Sequence, residues 1–341
     1  MHDSRGIVRC ALAAVLFGAS APAASVVADE LSPFALAGLL YLGAALAVAP
    51  LVLRAPPSRP ALRRGASRLS IAVLAGGAVG PVLLAAGLRR TSAASASLLL
   101  NLELVFTVII AAMWFHEHLG RRVVTGTALV AVAGVLLASG SLHDARWGAL
   151  MVAGACLMWA VDNTVTAALD ELRPAHITFA KGAIAGSANL VLGLALADGL
   201  ASVGTVAWAL VVGAIGYGAS ITLWVSGARE LGAARGQLVF ALAPFIGAAL
   251  SWTVLDEKVE TLQLVALVIA LVGVGFVTRT AHEHQHEHGA MEHDHAHDHP
   301  DPHHTHEHAD GFVGRHQHPH AHEPLVHSHP HVPDLHHHHG H

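Results

Sequence analysis

Asp29-Glu30-Leu31-Ser32-Pro33 and Asp170-Glu171-Leu172-Arg173-Pro174 share four of five residues at an offset of 141. After a one-residue change the offset becomes 140. Gly76 then meets Gly216, Gly87 meets Gly227, Arg89 meets Arg229, Ala93-Ala94 meets Ala233-Ala234, and Glu117 meets Glu257. The chain therefore reads as two related units, 1–140 and 141–281, followed by a tail, 282–341.

Each unit holds five apolar runs of the ~20 residues that a helix needs to cross hydrocarbon. They lie at roughly 7–28, 34–53, 69–88, 93–115, 123–140, 147–169, 175–197, 204–227, 236–255 and 261–278. The runs are too long and too uniformly apolar for the alternating strands of a closed barrel. The expected fold is an all-α membrane protein of ten transmembrane helices. Five is an odd number, so the second unit enters the bilayer upside down. Inverted repeats are the architecture of many secondary transporters, because two similar halves rocking about a midplane site give one state open to each side.

Composition agrees. Of 341 residues, 53% are hydrophobic and 13% charged, where a soluble domain carries about 25% charged residues. Two cysteines, Cys10 and Cys156, both in apolar runs, exclude a secreted disulfide scaffold. The charge balance excludes a strongly basic nucleic-acid binder. Arg5, Arg9 and the small residues Ala19 to Ala23 mimic a cleavable signal peptide, but the repeat requires that segment as a mature helix. With the N-terminus inside, 14 basic residues face inward and 4 outward. Both termini are therefore expected on the cytoplasmic side of an inner cell membrane.

Several motifs carry a resemblance. Gly87-Leu88-Arg89-Arg90-Thr91-Ser92-Ala93-Ala94, Leu99-Leu100-Asn101-Leu102-Glu103 and His116-Glu117-His118-Leu119 precede a span with Gly126 and Gly134. The second copy runs from Gly227 through Ala233-Ala234, Pro244 and Asp256-Glu257 to Gly273 and Gly275. Over about residues 7–280 the chain resembles the EamA-type repeat of the drug/metabolite transporter superfamily. The resemblance implies ten helices, no enzymatic activity, and export or uptake of small organic solutes. Glu117 and Glu257 resemble the family's acidic position at the end of the fourth helix, where a structural or gating role is expected. Pro244 occupies the family's proline position in the second copy; the first copy has Glu103 or Leu104 there.

Intramembrane polar residues are expensive and mark function by default. Glu103, near the middle of the fourth span, is the first candidate, for a proton or a cationic solute. Asp162 and Asn163 in the sixth span and Lys181 in the seventh follow. Lys181 is expected to pair with Asp162 or Glu103, to bind an anion, or to extend to the interface. Trp159, Tyr217 and Trp224 are candidates to line a cavity. Gly76-Gly77, Gly80-Pro81, Gly213, Gly216 and Gly218 interrupt the third and eighth spans, which points to a binding region or to close helix packing. His116 and His118 are two apart and so lack the spacing of a helical zinc motif.

The tail is a different object. It holds 24 of the 29 histidines, one Arg and ten Asp/Glu, so it carries −9 against +4 for the body. With one aromatic it cannot bury a core, and a disordered tail is expected. His282, His284, His286, His288, His293, His295, His297, His299, His316, His318 and His320 follow a His-x-His pattern that suits Zn, Ni, Co or Cu. The reading requires no cofactor. The partners expected are a small-molecule solute, the lipid bilayer, divalent metal ions on the tail and, in a homodimer, a second copy. The alternative is a divalent transition-metal transporter, or a membrane-anchored metal buffer, that uses the tail.

Overall fold

The computed structural model describes residues 2–114, 120–139, 143–167, 169, 171–196, 201–231 and 239–278, and, in the tail, 282–288, 291–297, 316–322 and 325–331. The body is helical. Its long segments are α1 (Arg5–Ser25), α2 (Pro33–Arg54), α3 (Ala66–Leu88), α4 (Ala93–Ile110), α5 (Arg121–Ser139), α6 (Ala145–Thr166), α7 (Pro174–Ala195) and α8 (Val203–Gly227). These eight are long and apolar enough to cross a membrane. The expected ninth and tenth spans are shorter helices among the described residues, α9 (Ala243–Thr253) and α10 (Thr261–Thr278). Residues 236–238 of the ninth run lie outside the described residues, as do His116, Glu117, His118, Asp170, Ala233 and Ala234.

The matched pentapeptides explain how the second helix of each unit starts. Ser32 accepts from the Ala35 amide at 3.1 Å, and Pro33 occupies the first turn. Pro174 stands at the same place in α7. Proline fits there because its missing N–H has no intrahelical partner to lose.

Helix packing follows the repeat. α1 lies on α8 and α6 on α3; α2 lies on α7, α4 on α9, and α5 on α10. Exchanging the two units maps each of these pairs onto another or onto itself. The crossings are close. A Cβ on Gly126 would come within 2.5 Å of the Gly273 carbonyl, and one on Gly273 within 2.7 Å of the Gly126 carbonyl. The outside is oily: Val8, Leu46, Val135 and Val191 are each more than 60% exposed. A surface of this kind suits lipid rather than water.

Between α2 and α3, the short helix Arg59–Arg64 buries Ala61 against Leu169, Leu172 and Ile177. Arg64 donates to both carboxylate oxygens of Glu171, at 2.8 and 2.6 Å. That guanidinium holds the Glu171 carboxyl below the usual carboxylate range.

The described residues of the tail form two short strand pairs. β1 (His282–His288) pairs antiparallel with β4 (Leu325–His331), and β2 (Met291–His297) pairs with β3 (His316–His322). The reason is visible in the sequence. His-x-His has a period of two, the period of a strand, and it can alternate without an apolar core to bury. Ten of the eleven candidate metal-ligating histidines fall on β1, β2 and β3, and His299 lies outside the described residues. The register sets His284 opposite His329 and His295 opposite His318.

Candidate functional site

The third helix of each unit is interrupted in the same way. Val73–Val79 in α3 and Gly213–Ala219 in α8 are π-helical, at an offset of 140. In α3 the Gly80 amide reaches back five residues to the Ala75 carbonyl. The Gly76 carbonyl, which Gly80 would otherwise take, is left for other donors. Tyr41 Oη of α2 donates to it at 2.5 Å and Trp159 Nε1 of α6 at 3.3 Å. The Ala78 carbonyl accepts from Asn189 Nδ2 of α7 at 3.1 Å. Three helices are thus hydrogen-bonded to one bulge, and π-bulges of this kind are frequent at functional sites. In α8 the corresponding carbonyls are taken locally. Ser220 donates to Gly216, and Thr222 donates to Gly218 at 2.9 Å.

Asp162 lies against the α3 bulge. A Cβ on Gly76 would collide with its carboxylate. Lys181 Nζ donates to Asp162 Oδ2 at 2.5 Å, and Thr166 Oγ1 donates to Oδ1 at 3.0 Å. The side chains of Asp162 and Lys181 are 4% and 12% exposed, so this is a buried ion pair. Of the expectations for Lys181, the structure shows pairing with Asp162. At the offset of 141 that aligns Pro33 with Pro174, its equivalent is the apolar Leu40, one residue before Tyr41. Lys181 also begins the third π-helical stretch, Lys181–Gly186.

Glu103 departs from the expectation of a helix-centre carboxylate. α4 breaks at Leu100-Asn101 and resumes at Leu102, so Glu103 sits in the first turn of the second half. The break has no proline. Instead, Asn101 Nδ2 takes the Leu98 carbonyl at 2.9 Å and the Cys156 thiol takes the Leu99 carbonyl at 3.5 Å. Carbonyls released by a helix interruption need such partners in an apolar interior. The second copy also has a turn, at Ala241-Leu242, where Pro244 supplies the local cause. Glu103 Oε1 accepts from Asn163 Nδ2 at 2.6 Å. Asn163 is exposed and Glu103 partly so. Among the described residues Glu103 has no salt-bridge partner.

The aromatic candidates form a chain of ring contacts. Tyr41 and Tyr217, the only two tyrosines of the sequence, lie 5.7 Å apart by centroid, and Tyr217 meets Phe17 edge-on at 5.9 Å. Phe17 reaches Phe240 at 5.3 Å, and Phe240 reaches Trp224 at 5.8 Å. Trp224 Nε1 is buried and has no hydrogen-bond partner among the described residues.

The structure thus brings Glu103 to Asn163 and Asp162 to Lys181, and places Tyr217 and Trp224 on the aromatic chain. Sequence reading missed Tyr41, Thr166 and Asn189. A single tyrosine in an otherwise apolar second span was the available signal for the first.

A bundle of long apolar helices, in two matching halves and with a buried ion pair at a glycine bulge, defines a multi-pass membrane protein of transporter type. A family model described as the EamA-like transporter family matches residues 4–140 and again 146–279. The chain belongs to that family of membrane transporters. It is similar to an uncharacterized transporter of Methanothermobacter thermautotrophicus, with 25% identity over 79% of this chain and 84% of that one. A solved crystal structure shares the fold at a TM-score of 0.59 and 16% identity, covering 80% of this chain and 95% of the other.

Proposed function

We propose that the chain is a secondary active transporter of a small organic solute. It works by alternating access between units 1–140 and 141–281, crosses the membrane ten times, and keeps both termini in the cytoplasm. The tally of 14 basic residues inside against 4 outside supports that orientation. The paired π-bulges and the paired breaks in α4 and before α9 support a binding region at mid-depth, where discontinuous helices of transporters hold their solutes.

One observation carries the coupling role. Lys181 is taken by Asp162, so the pair is neutral as a unit. Glu103 is bonded to the neutral Asn163 amide, which leaves its charge to be balanced by a proton or a cationic solute. Glu103→Gln keeps the shape and the acceptor but removes the titration. It should leave the protein in the membrane and reduce proton-coupled transport in proteoliposomes by about 10²-fold, the low end of what positioned proton-transfer groups contribute. A solute panel run with and without a proton gradient measures this. Full gradient-dependent transport by Glu103→Gln would remove Glu103 from the mechanism.

The second reading, a divalent-metal transporter or a membrane-anchored metal buffer, rests on the tail. Histidine faces histidine across both strand ladders, and imidazole favours Zn, Ni, Co and Cu. Deleting 282–341 should remove most zinc or nickel bound by the purified protein while organic-solute transport in proteoliposomes persists. Loss of metal tolerance in cells on the same deletion, with no solute found to be carried, would favour the metal reading.

A further inference from the structure

The loop between α9 and α10 crosses from the second unit to the first. Glu257 Oε1 accepts from the Ala93 amide at 2.7 Å and Oε2 from the Ala94 amide at 2.9 Å. Both amides belong to the first turn of α4, where they have no intrahelical partner. The loop is shaped for the contact. Asp256 is left-handed, with φ 56°, a conformation that Asp tolerates better than most residues. The Glu257 amide in turn bonds back to Ser251 at 3.2 Å.

A second set of bonds lies beside the first. Gln263 of α10 is 2% exposed. Its Oε1 accepts from Trp252 Nε1 and the Glu260 amide, each at 3.1 Å. Its Nε2 donates to Ser92 Oγ at 3.1 Å and Ser95 Oγ at 3.0 Å. Gln263 therefore ties α10 to α9 and to the start of α4 at once. Trp252 of α9 spends its N–H here.

We infer that Glu257, with Gln263, is a clamp that holds the outer end of α4 against α9 and α10 and must release for the transporter to open outward. The inference rests on the proposed alternating-access reading. α4 belongs to one unit and α9 and α10 to the other, so rocking of the units separates these partners. The Glu257 bonds are charge-assisted and lie at the positive end of a helix, which makes them strong where they stand. Yet each partner is satisfied by water when the contact opens, as a gate requires. Glu257 and Gln263 act by positioning α4.

Ser97, one turn further along α4, is 1% exposed, and among the described residues its hydroxyl has no hydrogen-bond partner. It reports what the clamp covers, and Ser97→Cys removes no bond. The test uses the full chain in two arms. Hydrogen exchange of the segment containing Ala93 and Ala94, in nanodiscs, should be about tenfold faster in Glu257→Gln, and faster again in Glu257→Ala. In right-side-out vesicles a membrane-impermeant maleimide should label Ser97→Cys about tenfold faster when Glu257→Gln is added, against a background lacking Ser97→Cys. Unchanged exchange overturns the clamp, and faster exchange with unchanged labelling from both faces overturns the gate. Faster labelling only in inside-out vesicles supports the gate and rejects the proposed orientation, so the two failures are distinguishable.

Discussion

Lys181→Ala should destabilise the protein by about 3–5 kcal/mol, the cost of leaving one member of a buried ion pair without its partner. The Asp162 carboxylate is 4% exposed and receives Lys181 at 2.5 Å and Thr166 at 3.0 Å. Removing the ammonium leaves one neutral hydroxyl to hold a carboxylate in an apolar interior. Asp162→Asn combined with Lys181→Met removes both charges and keeps similar volume. That double variant should recover most of the loss, because a buried pair and its neutral replacement are often close in stability. Denaturant unfolding in detergent, followed by the α6 tryptophan Trp159 beside the pair, measures both. A single variant within ~1 kcal/mol of wild type would show that Asp162 finds water or protonates, and the pair would then be a surface feature in energetic terms.

The same pair shows what the sequence could and could not convey. The two-unit repeat was legible from five residues, and the polar candidates could be picked out of the apolar runs. Glu103, Asp162, Asn163 and Lys181 were found as isolated charges or amides in apolar runs, a signal that needs no partner to be seen. That Lys181 would take Asp162 rather than Glu103 was not legible. It depends on α3 opening into a π-helix at Gly76, and nothing in a glycine run distinguishes an opened helix from a close crossing. The break in α4 shows the same limit more sharply. In the second copy Pro244 announces an interruption. In the first copy the interruption is held by Asn101 and by Cys156 from another helix, so its cause is tertiary and is absent from the local sequence. In the tail, the histidine alternation has a period of two, which is a strand pattern as well as a composition.

Gly76→Ala should be strongly destabilising. The new Cβ would fall on the Asp162 carboxylate, an anion pinned by two bonds and unable to turn aside. Overpacking a fitted interior costs about 1–3 kcal/mol and occasionally more, and displacing Asp162 adds part of the ion-pair penalty. Two comparisons isolate the cause. Gly275→Ala in α10 meets nothing within 4 Å and should be neutral or stabilising by up to ~1 kcal/mol through helix propensity alone. Gly216→Ala, the same position in the second copy, would press a Cβ to 2.6 Å from Ser20 Cβ. It tests overpacking at a matched bulge without an ion pair. Unfolding midpoints in the order Gly275→Ala, Gly216→Ala, Gly76→Ala, from highest to lowest, are expected. If Gly76→Ala and Gly216→Ala lose equal stability, the damage is steric only. A further loss in Gly76→Ala that disappears in the Asp162→Asn, Lys181→Met background assigns the difference to the ion pair, which would make the α3 bulge the element that admits a charge to the centre of the bundle.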